Sequence, residues 1–316
     1  MDGKMKVVFM GTPDFAVGAL ESIIKAGHEI TAVVTQPDKP KGRGKEVQIS
    51  PVKACALEHG LPVFQPVKIK TQEAVTQLRT YEADIFVVAA FGQILSKEIL
   101  DMPRYGCVNI HASLLPKYRG AAPIQWAVID GEEETGVTIQ QMNEGVDTGD
   151  ILTQEIVRLD EKETGASLFD KLAVCGAELI VKTLAMIEAG SIVPVKQDDS
   201  KSTHAKMLSK DMGKLDFSQD AVVLERKIRG LNSWPSAYTH FKGKTLKIWD
   251  ADVVNQNSFS ANEYGMVCEV AKDSFCIQTG NGQLKIKEVQ LEGKKRMEVS
   301  AFLLGYPVEK GMVFPN

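Results

Sequence analysis

The sequence predicts a doubly wound α/β domain with a Rossmann-like, mostly parallel sheet, followed by a small antiparallel, OB-like β-barrel. Three observations carry that expectation. Residues 1–189 alternate short apolar runs with stretches of helical spacing, the pattern of strand–helix units in a parallel sheet. The run DIFVVAAF at 84–91 is apolar nearly throughout, as a strand covered on both faces must be. Beyond residue 236 the pattern changes to short alternating runs separated by Gly, Asn and charged residues, the look of a small barrel.

The elements follow in order. MKVVFM at 5–10 is a first buried strand ending in the turn GTPDF. Residues 14–26 show helical spacing, with Phe15, Leu20, Ile23 and Ile24 apolar, and Asp14 is placed to cap them. ITAVV at 30–34 is the second strand, and 37–49 (PDKPKGRGKEVQI) is a polar loop. Helical patterns recur at 50–59, 71–80, 121–130 and 165–189; extended segments lie at 84–91, 106–112, 135–142 and 151–158. The polar, irregular stretch 190–206 reads as a linker. A short helix at 218–230 then precedes strands at 237–241, 245–250, 264–271, 274–278 and 284–291. The expected domains are therefore 1–189 and 207–316.

Composition excludes several classes. The chain has 316 residues, 44% hydrophobic and 25% charged, as a soluble protein of two domains does. No apolar run approaches the roughly 20 residues that span a bilayer, and the N-terminal run is too short for a secretory signal. A cytoplasmic, monomeric protein is expected. Five cysteines without a CxxC pair point to reduced, buried thiols and to neither zinc nor redox chemistry. The net charge is −4, yet 207–316 holds 15 Lys+Arg against 13 Asp+Glu. A mildly basic second domain is compatible with a polyanionic partner. The turn GTPDF lacks the GxGxxG fingerprint, so no nicotinamide cofactor is expected.

The stretch GCVNIHASLLPKYRGAAPIQWAVIDG at 106–131 carries the chemistry. Strand side chains alternate, so Asn109 and His111 share a face near the strand's carboxyl end, where this fold binds ligands. An imidazole moves protons near neutral pH, and an amide donates to a developing oxyanion without changing charge. Together they suit attack on a carbonyl. SLLPKYRG at 113–120 offers apolar walls with fixed backbone polar groups, suited to a flat heteroaromatic ligand. Asp147, in NEGVDTGDIL, can orient His111 as the third member of a triad. On the residues alone, a strand-end histidine is also compatible with a hydrogen-bonded core imidazole, and Asp147 with a turn residue capping its own backbone.

These segments, with MKVVFMGTPDFAV, KPKGRGKEVQISPVK and NSWPSAYTHFKGKTLKIW, resemble the formyltetrahydrofolate-dependent formyltransferases over essentially the whole chain. The resemblance implies that Asn109, His111 and Asp147 are the catalytic group. It implies that Ser113, Leu114, Leu115 and Pro116, with Phe91, Gly92, Gln93, Ile94 and Leu95, line the folate site. It further implies transfer of a formyl group from 10-formyltetrahydrofolate, a co-substrate, to the α-amino group of methionine on initiator tRNA, without a metal. Lys41, Arg43 and Lys45 of the GRGK loop would then meet the acceptor end of the tRNA. Basic residues of the second domain (Lys242, Lys244, Lys247, Lys285, Lys287, Lys294, Lys295 and Arg296) would form a second platform. Within the same catalytic core, an amino-sugar nucleotide formyltransferase is the alternative. A formyl-folate hydrolase and a non-catalytic folate- or RNA-binding protein are the others.

Overall fold

The computed structural model describes residues 4–41, 46–255 and 263–315, and the chain divides into two compact units. The first comprises residues 1–120, 134–158 and 169–205; the second comprises 121–133, 159–168 and 206–316.

In chain order the elements begin with β1 (Lys6–Gly11), α1 (Asp14–Lys25), β2 (Glu29–Val34), the pair β3 (Lys39–Lys41) and β4 (Glu46–Gln48), and α2 (Pro51–Glu58). They continue with β5 (Val63–Phe64), α3 (Gln72–Arg79), β6 (Ile85–Ala89), α4 (Lys97–Leu100), β7 (Cys107–His111), β8 (Arg119–Gly120) and α5 (Pro123–Asp130). Then come β9 (Glu134–Gln141), β10 (Ile151–Arg158), α6 (Gly165–Glu188), β11 (His204–Ala205) and α7 (Ala221–Gly230). The chain closes with β12 (Ala237–Phe241), β13 (Lys244–Val254), β14 (Val267–Val270), β15 (Phe275–Gln278), β16 (Gln283–Leu291), β17 (Met297–Glu298) and α8 (Val299–Gly305).

The first unit is built on a seven-stranded sheet of order β10-β9-β7-β6-β1-β2-β5. Strands β5, β2, β1, β6 and β7 run parallel, while β9 and β10 are antiparallel at one edge. All five residues of β6 are buried, which is why its sequence shows no alternation. Val8, Met10, Val75, Leu78, Phe86 and Ile99 pack one core cluster. Each such side chain contributes about 1.5–3 kcal/mol by leaving water. Helix α6 lies close on β7, since a Cβ at Gly176 would press on Ile110 at 2.9 Å. Ser50 and Thr71 cap α2 and α3 by accepting from Lys53 N and Ala74 N. Asp14 does not cap α1: Pro13 occupies the cap, and Asp14 is the first helical residue, where the helix dipole favours its charge.

Residues 121–133 and 159–168, expected within the domain 1–189, cluster with the second unit. Two further stretches differ from expectation. The polar loop 37–49 contains the antiparallel pair β3–β4, with Lys39 opposite Gln48 and Pro40 opposite Val47. Residues 190–205, read as a linker, are folded within the first unit. Val195 bridges Ile151, Gln197 is buried, and β11 pairs in parallel with β8. Composition misleads here because the polar groups that bind a strap to a surface are the same ones that solvate a linker.

The second unit carries an antiparallel sheet of order β12-β13-β16-β15-β14, with β17 on β16. Among the described residues no pairing joins β12 to β14. Its core holds Leu224 and Ile228 of α7 with Phe241, Phe275, Phe302 and Phe314; the Phe275 and Phe314 rings stack at 5.6 Å. Lys162 binds Glu225 (3.0 Å) and Asp252 (2.8 Å), Arg229 binds Glu225 (2.8 Å), and Lys287 bridges Asp250 and Asp252. No helix among the described residues is long and apolar enough to cross a membrane.

Candidate active site

Strand β7 ends at His111, between parallel β6 and antiparallel β9. Asn109 stands opposite Gln140 of β9, and His111 opposite Thr138. The four side chains therefore share one face of the sheet. His111 is 6% exposed, and its Nε2 lies 2.9 Å from the Tyr118 carbonyl. A carbonyl only accepts, so Nε2 carries the proton and Nδ1 is the free, basic nitrogen of the neutral ring. Nδ1 faces Asp147 Oδ1 at 3.6 Å. That gap is too long for a hydrogen bond but close enough to stabilise an imidazolium. The bond that fixes the ring thus comes from Tyr118 rather than from Asp147.

Asp147 is itself held on every side. Its Oδ2 accepts from Gly120 N (2.9 Å) and its Oδ1 from Gln140 Nε2 (2.8 Å). Its backbone is left-handed, with φ 54°, a conformation that costs a non-glycine residue roughly 1 kcal/mol. Gln197 Nε2 donates to the carbonyls of Asp147 (2.9 Å) and Gly149 (2.7 Å). Gly149 is required here: a Cβ would collide with the Gln141 carbonyl. The Gln197 Oε1 accepts both Nε and Nη2 of Arg119, at 3.0 and 2.8 Å.

Two polar groups are left over. The Asn109 amide, half-buried, makes no hydrogen bond among the described residues. Gln140 Oε1 is buried without a partner. An amide donor at the strand end, without a partner among the described residues and beside a basic imidazole nitrogen backed by a carboxylate, suits addition of an amine to a carbonyl.

The two expected folate segments, 91–95 and 113–116, follow the carboxyl ends of the adjacent strands β6 and β7. Ile94 is 63% exposed, and Leu114 and Pro116 are partly exposed, so these can meet a ligand. Phe91, Leu95, Ser113 and Leu115 are buried. Gln93 is spent on the backbone: its Oε1 accepts from Ile69 N and its Nε2 donates to the Pro66 carbonyl. Ser113 donates to the Lys117 carbonyl, and Leu115 N donates to Thr138 Oγ1. Gly92 adopts φ 83°.

Lys41 ends β3, while Arg43 and Lys45 lie outside the described residues. In the second unit Lys242, Lys244, Lys294 and Lys295 are exposed. Lys287 and Arg296, by contrast, are neutralised by Asp250, Asp252 and Glu288. The Arg296 guanidinium also covers Trp249 at 4.8 Å. The five thiols are free, and burial pushes Cys55, Cys175 and Cys276 up to about 11. Glu21, Cys55 and His59 form the one cluster of metal-ligand type among the described residues; sequence spacing does not reveal it, and none of the three touches the site. Gln140 and Gln197 are absent from the sequence-based set because a glutamine carries no pattern of its own.

The formyl transferase model matches residues 5–184, and the formyl transferase C-terminal domain model matches 207–307. The chain is 60% identical over 312 residues to the methionyl-tRNA formyltransferase of Lachnospira eligens, covering 98% of this chain and 99% of that one. It is 58% identical over 310 residues to that of Agathobacter rectalis, with the same coverage. Among solved structures, WlaRD, a sugar 3N-formyl transferase in the presence of dTDP and 5-N-formyl-THF, matches with a TM-score of 0.67 at 22% identity, over 92% of this chain and 99% of that one. HypX from Aquifex aeolicus in complex with tetrahydrofolic acid matches with a TM-score of 0.62 at 18% identity, over 99% of this chain and 51% of that one. These two likenesses concern the fold. With both domain models matched in order and relatives aligned end to end, the chain belongs to the formyl transferase family, among the methionyl-tRNA formyltransferases.

Proposed function

We propose that this chain transfers the formyl group of 10-formyltetrahydrofolate to the α-amino group of methionine on initiator tRNA, in the cytoplasm and as a monomer. The observation that carries the chemistry is the convergence of Asn109, His111 and Asp147 at the end of β7. The substrate follows from relatives at 58–60% identity that bear the name methionyl-tRNA formyltransferase. A folate-derived donor fits a family whose structural neighbours were solved with 5-N-formyl-THF and tetrahydrofolic acid. The sugar formyltransferases stand further off, at about 22% identity.

The neutral amine attacks the formyl carbon, and the carbonyl electron pair moves to oxygen. Asn109 donates to that oxyanion. His111 Nδ1 takes the proton of the attacking nitrogen, directly or through water, and Asp147 offsets the charge that the ring acquires. Collapse re-forms the carbonyl and breaks the bond to N10, which receives the proton. Tetrahydrofolate and N-formylmethionyl-tRNA leave. The loops after β6 and β7 supply the pterin site, with Ile94, Leu114 and Pro116 as its accessible apolar side chains. Lys41, Arg43 and Lys45 meet the acceptor end, and the exposed lysines of the second unit add phosphate contacts.

The test offers the purified protein 10-formyltetrahydrofolate with charged initiator tRNA, charged elongator tRNA or an amino-sugar nucleotide. Formylation of the initiator tRNA alone is expected. Asn109→Ala should slow turnover about 10²–10³-fold, the cost of losing one preorganised oxyanion donor. Preferred formylation of the sugar, or unchanged turnover in Asn109→Ala, overturns the reading.

A further inference from the structure

Gln197 sits 50 residues beyond Asp147 in a stretch whose sequence looks like a linker, yet all of its hydrogen-bonding capacity toward the protein is committed. Its amide donors grip the carbonyls of Asp147 and Gly149, on either side of Thr148. Its acceptor takes the Arg119 fork. Arg119 is followed directly by Gly120, whose N–H donates to the Asp147 carboxylate. Arg119 also binds Asp199 at 2.7 Å, two residues past Gln197. Beyond it the same stretch continues along β8: Thr203 Oγ1 accepts from Tyr118 N, and His204 pairs with Arg119. Tyr118 in turn supplies the carbonyl that sets the His111 tautomer. Thus one segment, 195–205, touches Tyr118 and Gly120, whose backbone groups bind the His111 ring and the Asp147 carboxylate, and grips the Asp147 backbone itself.

We propose that Gln197, backed by Arg119, is a positioning residue: it clamps Asp147 in its left-handed conformation so that the carboxylate faces His111 Nδ1. The clamp acts through the two N–H donors aimed at the catalytic turn. Left alone, a non-glycine residue at φ 54° relaxes toward the right-handed or extended regions, and the carboxylate swings away from the imidazole. Shifts of about 1 Å at a reacting group cost on the order of 10²-fold in rate. The inference rests on the proposed role of Asp147 and adds what makes that role possible.

Gln197→Glu separates the clamp from a mere partner for Arg119. An ionised glutamate keeps its oxygens for the guanidinium but has no N–H to give to the Asp147 and Gly149 carbonyls. Turnover is expected to fall about 10–100-fold in Gln197→Glu and equally in Gln197→Ala, with KM for 10-formyltetrahydrofolate and for initiator tRNA within about twofold. Arg119→Lys, which cannot form the fork, should lose less, about 3–10-fold. In an Asp147→Ala background, adding Gln197→Glu should change the residual rate by less than about twofold, because a positioned group that is absent cannot be mispositioned. If Gln197→Ala does not fold, Gln197→Glu, of matching volume, decides on the same criteria. Wild-type turnover in Gln197→Glu, or an equal loss with and without Asp147, overturns the clamp. Full turnover in Asp147→Ala would instead overturn the reading on which it rests.

Discussion

Polar clusters occur in both units, and they are finished to different degrees. In the second unit Lys162, Glu225, Arg229, Asp252, Lys287 and Asp250 each face a group of opposite charge within 3.1 Å. In the first unit the cluster around His111 leaves the Asn109 amide and Gln140 Oε1 without partners among the described residues. A satisfied network fixes one conformation and asks for nothing more. A network with an unpaired donor beside a basic nitrogen is left for water or a ligand to complete. The difference separates charges that hold the fold from charges that do chemistry, and it makes opposite demands on mutation.

The largest effect expected falls on turnover. His111→Ala should lower it about 10²–10⁴-fold, the range for a positioned acid–base group, with a melting temperature close to wild type. Comparable loss of both would make His111 a fold residue and erase the contrast. Next comes stability in the second unit. Glu225→Ala removes the partner of Lys162 and Arg229, and should destabilise by about 2–3 kcal/mol in denaturant titration. The figure lies below the roughly 3–5 kcal/mol of a dry pair because Lys162 is half-exposed and keeps Asp252. Turnover of the folded enzyme should stay within about twofold; a catalytic defect would mean that the network does more than hold the fold.

Gln140→Met tests the orphan acceptor. Met fills a similar volume and removes the unmet oxygen, but it also takes the Nε2 donor from Asp147 Oδ1, so the two effects oppose and stability should change by less than about 1 kcal/mol either way. Turnover should fall less than about tenfold, since Asp147 keeps the Gly120 N–H. A loss well beyond about 1 kcal/mol would show that the donor to Asp147 outweighs the orphan oxygen. The smallest effect concerns Lys53 and Asp38, paired beside α2. The hydrogen bond from Lys53 holds the Asp38 carboxyl below its ordinary value. A depressed carboxyl stabilises the fold above its unfolded pKa and loses that contribution as pH falls through the folded one. The difference in melting temperature between wild type and Lys53→Met should therefore be present at pH 7, start to shrink as pH falls below about 4, and disappear once pH passes below the lowered pKa of Asp38. A constant difference would assign the effect to packing.

Much of this was legible in the sequence. Period and burial place β1, β6, α1, α3 and α6 to within a few residues, because an element that buries one face must write that face into its spacing. Asn109 and His111 are legible because two residues of one strand keep a fixed relation. Asp147 is legible from the residues only as a candidate with an equal reading as a turn aspartate, and as catalytic by resemblance, because its relation to His111 depends on a turn that comes back from 36 residues away. Gln140 and Gln197 were not legible: their roles come from cross-strand register and from a polar strap, neither of which leaves a period. The pair β3–β4 was hidden for a similar reason, since three-residue strands are shorter than any window in which alternation can be counted.

The second unit is assembled from three separate pieces of chain, and α5 is one of them. Leu208 and Leu231 cluster with Ala122 of the α5 cap and with Trp126 and Ile129 on α5 itself. A recombination event that exchanged everything after residue 205 would strip those side chains of their cover and leave an apolar ridge open to aggregation. Inheritance of the two halves is therefore linked: a new carboxyl-terminal half can be grafted on only if α5 and residues 159–168 change with it.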